Sequence, residues 1–426
     1  MHLSKLLSGA AISALTLATT AAFAQDVTIS VMGSQNWINE PELEIARQFE
    51  AETGIKVDFQ AIPDDQYHSV LKARLNSGEA ADIFMGQSGY SDLLSYNITE
   101  TAVDLSAEDW VDRVQPLVRE AASMGDEFYG LTYWPSGVAP FIYNYNIELF
   151  EAHGVEIPRS FDALLEVCGV FKDAGITPIY EPFGDGWHHV LMFAHSGPKV
   201  ADATEGLFDL LNANEAVFEG NEAMIENLEQ IKTLYDAGCF GDNVLSDLYA
   251  ATPKKFVNEE VAIVHDRASF FSAVLGEYPD YDVSNIGVFP VPLSDNQYVT
   301  INPAGPTKFV FSGGDNIDAA KQYLAYLMRE DVLETYMSLP GAPSNLPFIG
   351  TPSGLPDGIQ AAIDESEDMK RVVMQTAVTY FNPQWMDIGQ DMTAMMTGMF
   401  SANDILRNID KRRASMAGPA GDPAWQ

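Results

Sequence analysis

Tyr90, Trp134, Trp187 and Trp385 each fall in a break between apolar runs, flanked by Gly, Pro, Asp or Asn. A ring inside an apolar run belongs to a core, whereas a ring in a polar break has a face to offer. Such a flat face packs against the C–H face of a pyranose, and neighbouring amides and carboxylates bond hydroxyls directionally. Gln35, Asn36, Gln87, Ser88, Asp266 and Arg267 supply those groups at loop positions; Trp37 adds a ring, and His188 directly follows Trp187. This chemistry suits a neutral, hydroxyl-rich small molecule, which needs paired donors and acceptors but no net charge. Taken singly, each polar residue serves equally well as a loop cap.

Nothing in the sequence demands catalysis. It has no Gly-x-Ser-x-Gly elbow, no phosphate-loop signature and no His-Glu-x-x-His, and "FSGGDN" (311–316) reads as the cap of the next helix. His188, His189 and His195 lie near Asp185, but a metal site wants a further convergent ligand, and adjacent histidines point in different directions. They read as a polar loop near a cleft, with no metal and no cofactor expected. Met386, Met392, Met395, Met396 and Met399 read as core filling.

Acidic residues number 61 against 23 basic ones, for a net charge of −38, which argues against nucleic acid as a partner. Lys5, the apolar stretch 6–22 and Ala22-Phe23-Ala24 form a secretory signal pattern, with cleavage after residue 24. Gln25, not Cys, would begin the mature chain, so no lipid attachment is expected and the compartment is the periplasm. Cys168 and Cys239 can pair there or remain separate, since spacing does not give their Cα distance.

The mature chain is long enough that two domains are expected. Strand and helix patterns alternate from the start. "VTISVM" (27–32), "IKVDFQAI" (55–62) and "ADIFMG" (81–86) read as strands. Between them run helical segments closed by Gly54 and Gly78. This order predicts a parallel, doubly wound α/β sheet, with ligands beyond the carboxyl ends of its strands. Those ends are "GSQNW" (33–37) and "GQSGY" (86–90). Later helices carry Ser160 and Asn221 as N-caps and Gly175 and Gly238 as stops, and another capped helix begins at Ser401. The tail "AGPAGDPAWQ" reads as flexible.

The run from "VTISVMGSQNW" to "ADIFM" resembles the opening of extracellular solute-binding proteins of ABC importers, in the branch that binds sugars. "FIYNYNIELFEAHGVEIPRSFDALLEVCGVFKDAGITPI" (141–179), "FVNEEVAIVHDRASF", "IGVFPVP" and "LPGAPSNLPF" match later segments of that family. The resemblance implies two α/β lobes with a cleft between them, each lobe a doubly wound sheet flanked by helices. It places 25–137 and 304–342 in the first lobe and 138–303 and 343–426 in the second, with the first crossing at "WPSGVAP" (134–140). It also implies a monomer that captures a sugar or oligosaccharide, closes on it and delivers it to a membrane permease. The first wall would hold Gln35, Asn36, Trp37, Gln87 and Ser88; the other would hold Trp187, Asp266, Arg267 and Trp385. Where the family often carries a Trp, this chain reads "AIVHDRASFF", so its preferred saccharide is expected to differ from maltose. Another solute, such as a polyamine or glycerol phosphate, is the alternative, and a carbohydrate-active enzyme a more distant one.

Overall fold

A computed structural model describes residues 27–135, 140–343, 345–351, 354–366 and 369–425. The signal sequence lies outside them, as does the middle of the expected first crossing, 136–139.

Strands are numbered along the chain: β1 (Thr28–Ser34), β2 (Lys56–Ile62), β3 (Ile83–Gln87), β4 (Ser123–Met124), β5 (Glu127–Phe128), β6 (Gly130–Leu131), β7 (Phe141–Asn146), β8 (Thr177–Tyr180), β9 (Val261–Arg267), β10 (Ile286–Phe289), β11 (Val299–Ile301), β12 (Pro306–Val310) and β13 (Lys370–Val372). One sheet has the order β2-β1-β3-β12-β6, and the other β13-β11-β7-β9-β8 with β10 also on β7. Each has its own core. Ile29, Val31, Phe49, Ile83, Leu131, Val310 and Leu324 pack in the first, and Tyr143, Phe171, Phe193, Leu228, Ile263 and Met392 in the second. The molecule therefore has two lobes.

Local signals account for the helices between the first strands. The Asn39 side chain accepts the Glu42 N–H at 2.9 Å, Pro41 sits in the first turn, and Gly54 ends Glu40–Thr53 at φ 76°. β1 pairs in parallel with β2 and β3, as the alternation predicts. The sheet is nevertheless mixed, because β12 returns from the other lobe and runs antiparallel to β3 and β6. That direction sets Pro306 opposite Gln87. The start of β12 thus joins the carboxyl end of β3 at one sheet edge. In the second sheet β7 is antiparallel to β9, β10 and β11. Its first residue, Phe141, pairs with Arg267 at the end of β9.

The chain passes between sheets after Leu131 and again between Ile301 and Pro306. The last departure was expected at 342/343, but it comes later. Ala342, Leu346 and Phe348 bury themselves in the first core, where Phe348 lies 5.9 Å from Tyr133, and Leu355 and then Ile359 are the next residues in a second-lobe cluster. The C-terminal tail was expected to be flexible and is instead docked. Tyr380 donates its hydroxyl to Asp422 at 2.9 Å, and the Trp425 ring lies 5.2 Å from the Arg413 guanidinium. Met392, Met395 and Met396 are core, but Met399 is 73 % exposed and Met386 lines a cleft.

Cys168, in the helix Phe161–Asp173, and Cys239, just past the helix Glu222–Asp236, form a disulfide with Cα atoms 5.5 Å apart. It closes a long loop, 71 residues of separation, around a core both helices share. Replacing both cysteines with serine is expected to lower stability by about 2–4 kcal/mol. Urea unfolding of the oxidised wild type and the double variant checks this, and equal midpoints would show that the link contributes nothing.

Candidate functional site

A cleft of about 600 Å³ opens between the lobes, within the range of small-molecule sites. A larger crevice, about 780 Å³, lies between the helices Phe270–Glu277 and Glu330–Ser338, but among the described residues no Trp, Asn or Gln lines it. The smaller cleft has the convergent rings and amides that a polar ligand requires.

The first-lobe wall is built from strand ends. β1 runs into the 3-10 turn Gln35–Trp37, which brings Asn36 and Trp37 to the cleft, and β3 ends on Gln87. The helix Asp64–Ser77 starts at the end of β2 and contributes Asp64, Asp65, His68 and Lys72. Ser34 and Asn36 both donate to Asp64, which fixes the turn. Trp37 is held edge-on by Tyr67 at 5.2 Å and His68 at 5.9 Å. Burial lowers His68 to about 4, so that ring is neutral near pH 7.

The second-lobe wall carries Phe141, Trp187, Tyr249, Arg267 and Trp385, and Trp134 joins them from the crossing between lobes. The Trp385 Nε1–H donates to the Trp187 carbonyl at 2.8 Å. Gly389 makes this possible, because a Cβ there would meet the Gly186 carbonyl oxygen at 1.8 Å. Arg267 lies on the Phe141 ring, 4.2 Å from its centroid, and 5.6 Å from that of Trp134.

A relay of side chains joins the lobes at the cleft floor. Thr376 donates to Asn302 (2.5 Å), Asn302 to Gln375 (3.2 Å), Gln375 to Asn382 (2.5 Å) and Asn382 to Asp92 (2.6 Å). Burial raises the Asp92 carboxyl to about 7, against the opposing influence of Asn382 and Lys72. Because the folded value lies above the ordinary 3.8, this carboxyl favours the folded protein at low pH, and that contribution is lost as pH rises towards 7. Asp92→Asn is expected to flatten this slope. Its melting temperature, relative to wild type, should climb from about pH 4 to pH 7 and then level off. A constant difference across that range would show that Asp92 does not titrate there.

The structure brings Asn36, Trp37, Gln87, Trp134, Trp187, Arg267 and Trp385 to one cleft. The remaining candidates do not line it. Gln35 is exposed on the turn, and Tyr90 is 54 % exposed at the start of the helix Tyr90–Ser95. Ser88 is buried, accepting the Gly305 N–H at 3.0 Å and so stapling β3 to the start of β12. Asp266 stands behind Arg267, accepting from the Tyr249 hydroxyl (2.8 Å) and from the Arg267 N–H (2.6 Å).

His188 is not in a polar loop, because the lobe folds over it. It is 1 % exposed, contacts Glu181 at 2.5 Å, and stacks beneath Tyr249 at 5.3 Å with Trp187 at 4.9 Å. Burial raises Glu181 to about 7 and lowers His188 to about 4, leaving the imidazole neutral. His189 stacks on Phe183 at 4.0 Å, and His195 bonds Thr300. Among the described residues no group of His, Cys, Asp and Glu is arranged to hold a metal.

Sequence reasoning missed Asp64, Asp65, His68, Lys72, Phe141, Tyr249, Gln375, Asn382 and Asp387. The carboxyl end of β2 signalled the first group, since strand ends face the ligand. Tyr249, a ring in the polar run "SDLYAATP", obeyed the rule already applied to Trp187. Gln375 and Asn382 carried no local signal.

The chain matches the model of the bacterial extracellular solute-binding proteins over residues 37–333, and it belongs to that family. Solved structures agree in fold. A sugar transporter protein from Bacillus licheniformis in complex with stachyose is 16% identical, with a TM-score of 0.73 over 92% of this chain and 100% of that one. The solute-binding protein RafE in complex with raffinose is 18% identical, with a TM-score of 0.68 over 94% and 100%. The GacH receptor of Streptomyces glaucescens, solved unliganded and with acarbose, is 18% identical, with a TM-score of 0.70 over 92% and 98%. No curated protein matches the sequence.

Proposed function

We propose that this protein is the periplasmic substrate-binding component of an ABC importer, a monomer that captures a sugar or oligosaccharide between its lobes and presents it to the membrane permease. One observation carries this reading: rings and amides from both lobes, Trp37 and Gln87 on one side and Trp187 and Trp385 on the other, line a single cleft. Proteins of the same fold have been solved with stachyose, raffinose and acarbose. Among the described residues no helix is long and apolar enough to cross a membrane, which fits an exported partner of a separate permease.

Binding drives closure only through interactions that the closed state makes and the open state lacks; equal affinity for both shifts nothing. A ligand lying on Trp187 and Trp385 meets Trp37 and Gln87 when the walls approach. The relay from Thr376 to Asp92 lets the lobes move about a bonded floor.

A thermal-shift panel of neutral and acidic mono- and oligosaccharides, polyamines and glycerol phosphates tests the ligand class. Small-angle scattering tests the closure. The expected result is stabilisation by saccharides alone, with a smaller radius of gyration at saturation. Stabilisation by polyamines or phosphate esters alone would overturn the sugar reading.

A further inference from the structure

The guanidinium of Arg267 points to more than a neutral sugar. Among the described residues it has no hydrogen-bond or ion-pair partner, although Phe141 and Trp134 hold it against the cleft. The neighbouring Trp134 Nε1–H is buried and likewise without an acceptor. The nearest carboxylate, Asp266, acts on the guanidinium through its charge and not through a hydrogen bond. Asp266 accepts the Tyr249 hydroxyl on one oxygen and the Arg267 backbone N–H on the other. The other cation lining the cleft, Lys72, acts on Asp92 and His68 on the first-lobe side.

Arg267 therefore presents an unpaired guanidinium to the cleft. A hydroxyl both donates and accepts, so donors alone satisfy half of it; a carboxylate only accepts and meets a guanidinium fork with two parallel bonds. Contact with the Phe141 ring, 4.2 Å from its centroid, holds the guanidinium in place before ligand arrives, which lowers the ordering cost of that bidentate contact. Resting on the sugar-binding reading above, we infer that the preferred ligand is a saccharide carrying one carboxylate, as in a uronic acid, seated against the Arg267 guanidinium. The hydroxyls of such a ligand keep Gln87, Asp65 and Asp387 on the cleft walls as partners.

Calorimetric titration tests this with mono-, di- and trisaccharides of galacturonate, glucuronate and mannuronate, each paired with its carboxyl-reduced neutral counterpart. In the wild type the acidic member of at least one pair should bind about 10- to 100-fold tighter. That preference should shrink with added salt. Arg267→Met should bring the two members within about twofold of each other, and Arg267→Lys should retain part of the preference; circular dichroism checks that both fold. If the neutral member of every pair binds as well as the acidic one, the carboxylate inference falls while the sugar reading stands. If no saccharide of either kind binds, the sugar reading falls and takes this inference with it. Should Arg267→Met not fold, the wild-type pairs and their salt dependence decide the question alone.

Discussion

Trp385→Ala should weaken binding of the preferred saccharide about 100-fold, the loss typical of a central aromatic anchor. Trp385 begins the helix Trp385–Met396 at the cleft edge, packs edge-on against Phe381 at 6.1 Å and bonds the Trp187 carbonyl. The substitution thus removes one ring and the hydrogen bond that helps fix a second. Trp187→Ala should act in the same direction, since that ring meets Tyr249 at 5.2 Å and forms the same wall. Both rings are only partly buried, and Trp385 packs against the edge of the second core without being one of its buried members, so the fold should survive. Calorimetry and melting curves for the two variants check this together. Unaltered affinity in both would remove the two rings from the site, and loss of the folded state would show that they are core instead.

Lys308→Met should cost about 3–5 kcal/mol, because it leaves a buried carboxylate without its partner. Lys308 on β12 is 1 % exposed and its Nζ lies 3.1 Å from both Glu42 oxygens, on the helix Glu40–Thr53 that packs over the first sheet. The ammonium also sits 5.5 Å from the Tyr133 ring centroid, so little water is near enough to replace it. Replacing both partners, Glu42→Leu with Lys308→Met, should recover most of the loss, since the desolvation penalty then vanishes with the charges. Denaturant unfolding of the wild type, the two single variants and the double variant measures the coupling. A Lys308→Met protein as stable as the wild type would mean that the pair is not isolated from solvent.

Much of the architecture was readable because its causes are local. Asn39, Ser160, Asn221 and Ser401 each accept the backbone N–H three residues on, and each starts or borders a recognisable helix pattern. The order of strand and helix in 27–87 likewise predicted parallel pairing of β1, β2 and β3. The antiparallel β12 was not readable, because its direction depends on a segment that leaves for the other lobe and returns.

The site divides along the same line. Trp187, Trp385 and Trp134 announced themselves as rings in polar breaks, a property of their neighbours in the chain. His188 stands in the same break, yet lies beneath the wall because Glu181 and Tyr249 enclose it. Asp92 and Asn382 are 290 positions apart, and only the approach of the two lobes joins them. The sequence by itself determined the elements, their caps, the family and the kind of chemistry on offer, since each rests on short-range periodicity or on residue order. Which side chains face the cleft, that Cys168 meets Cys239, and that Arg267 stays uncommitted while Asp266 does not were decided by tertiary structure alone. Orientation and burial arise from packing between segments far apart in the chain, and no local pattern encodes them.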